Sequence, residues 1–297
     1  MIQIMGAGAL GSLIGGLLQM SGKDVVFVAR GKQLEALRKK LVITGLIHAE
    51  LSVKAVEKPV NADVTFFTVK AYDSNVAAKA LSEVDPGIVC TLQNGIGVED
   101  ILRKHVKRVV RGVTSYGANL ADYGKVVYAG KGVVYLPKQN DAEIVANVLR
   151  DAGFSVEIVD DIEFRVWAKA IVNSVINPLT AICRVSNGFV VENENLRKIA
   201  ERVAKEGEML MRKLGYEFNA FDEVLKVAKM TAKNKSSMLQ DVLRGKRTEV
   251  DFINGAIVEK CKEMGVDCIY NEILWKIVKG IEDGIALRDP DLRTTDF

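Results

Sequence analysis

Histidine is nearly absent from this 297-residue chain, cysteine is scarce, and neither sign of charge dominates. The two histidines, His48 and His105, lie in ordinary strand and helix patterns, so a histidine-based dehydrogenase mechanism has no support. The four cysteines, Cys90, Cys183, Cys261 and Cys268, show no C-x-x-C spacing; neither a zinc site nor a disulfide framework is expected, and a reducing, cytoplasmic setting fits. The 41 Lys plus Arg against 38 Asp plus Glu leave a formal charge of +3, spread along the chain, which argues against a dedicated nucleic-acid binder. One tight basic group, Arg103, Lys104, Lys107, Arg108 and Arg111, reads as a solvated connection between helix and strand rather than a polyanion site. No apolar run approaches the roughly 20 residues of a membrane span. The chain opens on a strand, Met-Ile-Gln-Ile-Met, without a basic leader or cleavage site, so neither export nor anchoring is expected.

What is present is the balance of a globular protein, 48% hydrophobic and 27% charged, in a length that exceeds one ordinary core and implies two domains. Over the first half, β-branched runs at Ile2 to Met5, Asp24 to Ala29, Asp63 to Val69, Gly87 to Leu92 and Arg108 to Ser115 alternate with helical stretches, the pattern of a parallel sheet. Leu41 to Val56 reads as an inserted pair of short strands. Lys125 to Leu136 reads as a hairpin turning near Ala129 to Gly132, and both are expected to extend the sheet with antiparallel strands. A helix at Ala142 to Asp151 and a strand at Ser155 to Val159 close this half. Beyond about Asp161 only helical periodicity remains. In Glu192 to Leu214 the apolar Leu196, Ile199, Val203, Leu210 and Leu214 form one stripe, with Gly215 as its stop. The expected architecture is α/β: a Rossmann-like parallel-sheet domain over 1–162 and an all-helical domain over 163–297, joined without a Pro- or Ser-rich linker.

Gly6-Ala7-Gly8-Ala9-Leu10-Gly11 follows the first strand and opens a helix, the context in which G-x-G-x-x-G means a dinucleotide site. Gly6 makes the turn, Gly8 admits the pyrophosphate to the backbone, Gly11 lets helix meet strand, and the helix start offers N–H groups to the anion. An NAD site normally ends its second strand on an acid that bonds the ribose 2′-hydroxyl. Here that strand ends on Arg30, with Lys32 nearby, and these cations suit a 2′-phosphate; NADPH is the expected cofactor, with NADH as a secondary one. The alternative for Arg30 is a solvated strand end.

Lys169, Asn173 and Asn177 recur at spacing four in Trp167 to Ala181, so a helix there carries one polar stripe among Ile171, Val172, Val175 and Ile176. Burying a lysine is costly unless it is paired, so such a stripe fits a cleft better than a core. Pro178 lacks an N–H and is expected to bend that helix.

At this point the chain resembles the ketopantoate reductase (2-dehydropantoate 2-reductase) family over essentially its whole length. The resemblance is carried by Gly6 to Gly11, Lys70 after Thr65 to Val69, Gln93-Asn94-Gly95-Ile96-Gly97, Lys169 to Ala181, and Asn234 to Gly255. It implies that Lys169 is the proton donor, that Asn94 lies near substrate and nicotinamide, and that Asn173, Asn177 and Ser237 contact substrate. It makes Glu249 a carboxylate at the substrate pocket close to the cofactor, and has Lys70 and, on spacing alone, Ala118 touch the cofactor. It further implies NADPH-dependent reduction of 2-dehydropantoate to pantoate, in pantothenate and coenzyme A synthesis, with a small keto acid bound in a cleft between domains. Structural readings stand beside two of these roles: Ser237-Met238-Leu239-Gln240 also reads as a capping box, and Thr248-Glu249-Val250-Asp251 as a helix start. Amphipathic helices at Glu192 to Leu214 and Glu249 to Met264 could supply a homodimer face. The rival functions are another 2-keto or β-hydroxy acid dehydrogenase and a non-catalytic NADP sensor, although a sensor would have little use for Lys169, Asn173 and Glu249 together.

Overall fold

A computed structural model describes residues 1–286; the end of the expected helical half, 287–297, lies outside the described residues. The chain divides into two compact units, Met1–Val166 and Trp167 onward. The first runs β1 (Ile2–Met5), α1 (Ala9–Met20), β2 (Val25–Val28), α2 (Gly31–Lys39), β3 (Leu41–Gly45), β4 (Ala49–Leu51), β5 (Lys54–Val56), β6 (Val64–Phe67), α3 (Ser74–Leu81) and β7 (Ile88–Thr91). It continues through α4 (Val98–Arg103), β8 (Val109–Arg111), β9 (Val113–Thr114), β10 (Gly117–Asp122), β11 (Lys125–Gly130), β12 (Val134–Pro137), α5 (Asn140–Asp151) and β13 (Val156–Val159). The second comprises α6 (Ile162–Cys183, which begins in the first unit), α7 (Phe189–Glu192), α8 (Glu194–Lys213), α9 (Ala220–Met230), α10 (Ser237–Leu243), α11 (Asn254–Met264) and α12 (Ile269–Ala286).

The main sheet is six-stranded in the order β5-β2-β1-β6-β7-β8, with every pair parallel. Every residue of β1, β2, β6 and β7 is buried, as expected of strands covered on both faces. The three polar residues among them are satisfied: Gln3 Nε2 donates to Thr65 Oγ1 (3.1 Å), Thr65 Oγ1 to the Pro86 carbonyl (2.8 Å) and Thr91 Oγ1 to Gln93 Oε1 (2.8 Å). Strand order turns outward in both directions from β1 and β6, the switch point at which such sheets bind nucleotides.

The inserted segments do not extend this sheet with antiparallel strands. β3 and β4 pair antiparallel but join β10 and β11 in a separate sheet, β10-β11-β3-β4, while β5 enters the main sheet parallel to β2. The hairpin turns at Tyr123-Gly124, between β10 and β11; the glycines near 130 instead carry the chain to a third sheet, β13-β12-β9. The expected Arg108 to Ser115 strand divides at Gly112 into β8 and β9, and a side chain at that position would meet Leu92 and Leu136 at 2.6 and 2.7 Å. Helix α1 fits between two sheets because Gly15 lets it rest on Phe27 of β2 and Gly16 on Ile43 of β3.

In the second unit, Asn193 caps α8, and the buried stripe is Ala200, Val203, Ala204, Gly207, Leu210 and Met211. Ile199, assigned to that stripe by spacing, is exposed: the small residues Ala200, Ala204 and Gly207 define the contact face, and a Cβ on Gly207 would strike Ile171 of α6. Gly265 closes α11 in a left-handed conformation, and the chain returns so that Cys261 and Cys268, with Cα atoms 6.3 Å apart, form a disulfide. The expectation of no disulfide is therefore corrected; a separation of seven across a helix turn has no motif to announce it. Among the described helices α6 alone has the length and apolarity to cross a bilayer, and 72% of its apolar window is buried within the protein, as in a core helix.

Candidate active site

The C-terminal ends of five main-sheet strands lie in register, with Met5 beside Val28 and Phe67, Phe67 beside Thr91, and Thr91 beside Arg111. The loops that follow β1, β2, β6 and β7 therefore emerge along one edge, and they carry Gly6 to Gly8, Arg30, Lys70 and Asn94. Gly6 has φ +101°, and a Cβ there would lie 2.6 Å from the Val69 nitrogen. Thr68 Oγ1 donates to the Gly6 carbonyl (2.7 Å), tying the glycine turn to the β6 loop. A Cβ on Gly11 would meet that same carbonyl and hydroxyl. Gly8, by contrast, is exposed and has no atom within 4 Å of where a Cβ would stand. It opens α1, whose first turn contains no acid, so Ala9 and Leu10 follow at a helix start suited to an anion. Ala7 is buried, and its carbonyl accepts from Gln33 Nε2 (2.6 Å), while Gln33 Oε1 accepts from the Gly124 N–H (3.0 Å). No sequence signal marks Gln33 for this role of bracing the glycine loop.

Arg30 is exposed and extended at the start of α2, with Lys32 also exposed, an arrangement that both a phosphate-reading cation and a solvated strand end require. Lys70 is half-buried at the head of a short 3-10 turn, Ala71–Asp73. Ala118 lies on β10 of the second sheet, opposite Tyr128. His48 is exposed, and the ring of His105 contacts Asn75 Oδ1 at 3.1 Å. Burial pushes the Cys90 thiol up to about 12, which leaves it inert as a nucleophile. Among the described residues no group of three or more His, Cys, Asp or Glu is placed to hold a metal.

Asn94 is half-buried in the loop after β7. Its neighbour Gln93 is buried, donating through Nε2 to the Val69 carbonyl and to Ser74 Oγ (3.0 Å). The basic group near this loop is not uniformly solvated. Arg103, Lys104, Lys107 and Arg108 are exposed, Arg108 bonding both oxygens of Asp141, but Arg111 is only 4% exposed because it ends a strand beneath the Asn94 loop. Burial, and secondly Glu99, push the carboxyl of Glu163 in the first turn of α6 above its ordinary range.

On α6, Lys169 and Asn173 are half-buried and Asn177 is buried. The helix runs through Pro178 to Cys183. Pro178 cannot donate to the Ser174 carbonyl one turn back, and that carbonyl instead accepts from Asn254 Nδ2 (2.9 Å). Asn254 also donates to Asn271 Oδ1 (3.1 Å), and Asn271 bonds Glu206 of α8 through its backbone and side chain (2.9 Å each). A buried polar chain thus fixes the segment between Asn173 and Asn177 against three other helices.

Thr180 Oγ1 donates to the Asn177 carbonyl (2.9 Å) and lies 2.6 Å from Ser236 Oγ, which accepts from the Leu239 N–H (3.1 Å). The helix cap is therefore Ser236, not Ser237; the capping-box reading of Ser237 is corrected, and Ser237 is the first, half-buried residue of α10. Glu249 is buried in a segment gripped on both sides. Glu282 Oε1 accepts from the N–H and hydroxyl of Thr248 (2.7 and 2.6 Å). Asp251 accepts from Trp275 Nε1 (2.8 Å), Arg247 (3.0 Å) and Lys279 (3.1 Å). Glu249 precedes a 3-10 turn, Val250–Phe252, rather than starting an α-helix. Ala181, Met238, Val242, Val250, Ile253 and Val278 form one core, so the ends of α6 and α10 and the Glu249 segment share a foundation. Lys169 stands two α6 turns before Asn177, about 12 Å along the axis.

Residues 2–141 match the family described as Ketopantoate reductase PanE/ApbA, and residues 161–282 match its C-terminal part. A 2-dehydropantoate 2-reductase of Archaeoglobus fulgidus is 60% identical, covering 96% of this chain and 98% of its own. Among solved structures, a PanE/ApbA family ketopantoate reductase from Ralstonia eutropha JMP134 is similar with TM-score 0.90 at 29% identity, over 96% of this chain and 99% of its own. A D-mandelate dehydrogenase with NADH and anilino(oxo)acetate is similar with TM-score 0.89 at 26% identity, over 97% and 99%. Matched in both halves, and over nearly its full length by a close relative, this chain belongs to the ketopantoate reductase family.

Proposed function

We propose that the protein reduces 2-dehydropantoate to pantoate with NADPH, with residues 1–166 holding the dinucleotide and the helical unit supplying the proton and the substrate contacts. The observation that carries this reading is the pairing of two features. One is an open, acid-free helix start at Gly8; the other is a polar stripe, Lys169, Asn173 and Asn177, on a helix otherwise committed to the core. The glycine loop accepts a pyrophosphate without displacing any protein atom at Gly8, and exposed Arg30 and Lys32 suit a 2′-phosphate. When bound, NADPH supplies the hydride.

Negative charge then gathers on the ketone oxygen. Lys169, as an ammonium, stabilises that charge and delivers the proton, while Asn94, Asn173, Asn177 and Ser237 donate to substrate oxygens without adding net charge. Glu249 accepts from the substrate hydroxyl. Lys70 contacts the cofactor, as does Ala118, which is assigned by its spacing from Asn94. The same reading places a cytoplasmic, homodimeric enzyme in pantothenate and coenzyme A synthesis.

The likeness to an NADH-bound D-mandelate dehydrogenase supports a second reading, another 2-keto acid as substrate. Following NADPH and NADH absorbance with 2-dehydropantoate, and separately with an aryl keto acid, discriminates the two. The first reading expects 2-dehydropantoate to be preferred, Lys169→Ala to lose about 10²- to 10⁴-fold in kcat, and Arg30→Ala to raise the KM for NADPH more than for NADH. No 2-dehydropantoate-dependent oxidation by the wild type would defeat it.

A further inference from the structure

We propose that Arg111 is the positioning residue for Asn94, a role that rests on the reading above, in which Asn94 serves substrate and nicotinamide. Arg111 Nη1 donates to the Gln93 carbonyl at 2.9 Å and Nη2 to the Gly95 carbonyl at 2.8 Å. One planar fork thus holds the peptide that enters Asn94 and the peptide that leaves Gly95, clamping the Asn94-Gly95 pair from both ends. The loop needs this. Gly95 and Gly97 both have left-handed φ, +93° and +79°, so the segment is flexible on its own, and the side chain of Gln93 anchors only its first residue.

The surrounding charges fit positioning better than simple stabilisation. Arg111 and Glu99 are 4% and 5% exposed, yet their closest approach is 3.6 Å, and neither Arg111 Nε nor Glu99 Oε2 has a hydrogen-bond partner. An ion pair optimised for stability would be bidentate and satisfied. Here the guanidinium directs its two-pronged end at the loop carbonyls and leaves Glu99 only to balance its charge. Asn94 is thereby fixed by a residue that never needs to touch substrate or cofactor.

The test uses Arg111→Lys, Arg111→Met and the double variant Glu99→Gln/Arg111→Met, which removes the carboxylate that the single Met variant strands. Expected is a fall in kcat of about ten- to a hundredfold in all three, as for a misplaced catalytic contact. The dissociation constant for NADPH should stay within about threefold, because the glycine loop and Arg30 are untouched. The double variant should regain melting temperature over Arg111→Met while kcat stays low. Its amides 94–97 should exchange hydrogen faster than in wild type, a readout that needs no assumption about substrate. Activity returning together with stability in the double variant, or unchanged protection of 94–97, would overturn the proposal. A wild type without 2-dehydropantoate turnover would instead defeat the functional reading and leave the exchange measurement to decide the role of Arg111 in the loop.

Discussion

Replacing Gly8 with Ala separates cofactor binding from folding, because the added methyl group meets no protein atom within 4 Å. The backbone at Gly8, φ −73° and ψ −159°, is open to any L-residue, so restricting the unfolded chain gains about 0.4–1 kcal/mol. Gly8 is also the N-cap of α1, where alanine is worse than glycine by about 0.5–1.5 kcal/mol. The two effects oppose each other at similar size. The apoprotein should therefore melt within about 3 °C of wild type.

On the proposed function cofactor affinity should behave differently, since the methyl group would occupy the face that the helix N–H groups present to a phosphate. Losing charge-assisted bonds and the terminal dipole removes about 2–4 kcal/mol, or about thirtyfold to a thousandfold in the NADPH dissociation constant. Gly11→Ala supplies the contrast. Its Cβ meets the Gly6 carbonyl and Thr68 Oγ1, and overpacking against backbone costs about 1–3 kcal/mol against about 1 gained in helix propensity. That variant should lose both stability and affinity. Fluorescence titration with NADPH and thermal melts of the apoprotein read the two quantities. A Gly8→Ala variant that binds NADPH like wild type, or that melts many degrees lower, would refute an open anion cradle at Gly8.

Asn254→Leu strands the Ser174 carbonyl and one Asn271 oxygen in the core, so unfolding in guanidinium should show a loss of about 2–5 kcal/mol; Pro178→Ala in the same chain should recover part of it by restoring a backbone donor. For Asp251, burial raises the carboxyl pKa, but bonds from Trp275, Arg247 and Lys279 together outweigh it and hold the net value below the ordinary range. A carboxyl lowered on folding stabilises the protein above its unfolded pKa, and that contribution is lost as pH falls through the folded value. Acid unfolding followed by Trp275 fluorescence should therefore begin at higher pH in Asp251→Asn. Reducing Cys261–Cys268 opens a loop of separation seven. The melting temperature should fall, by the equivalent of about 2.5 kcal/mol in the chain-entropy account; an unchanged melt in reductant would count against a formed bond.

Much of the first unit was legible because its signals are local. The apolar runs of β1, β2, β6 and β7 are buried on both faces, and the glycine motif stands where strand gives way to helix. Sheet membership was not legible. β3 and β11 look like ordinary half-buried strands, and nothing in either indicates that they pair with each other rather than with the main sheet. The site splits along the same line. Spacing by four placed Lys169, Asn173 and Asn177 on one helix, but the partner that completes the helix at Pro178 is Asn254, far along the chain. Arg111 was grouped with its basic neighbours because adjacency in sequence suggested shared solvent exposure. Its burial follows from where β8 ends, a tertiary fact.

Two solved proteins named for different acids resemble this chain almost equally, with TM-scores of 0.90 and 0.89, so the architecture by itself does not select a substrate. Selection has to reside in side chains, and the polar chain behind them limits their freedom. Pro178 frees the Ser174 carbonyl, Asn254 captures it, and Asn271 and Glu206 carry the connection to α12 and α8. Thr180 and Ser236 then fix the start of α10 beside Asn177. A side chain mounted on a helix secured at that spacing has little room to drift. The Asn94 loop is held by a different device, a buried guanidinium beneath it. Enlarging the substrate range should therefore require changes on α6 and α10 that leave Asn254 and Thr180 in place; altering cofactor preference should require only Arg30 and Lys32, which no buried network constrains.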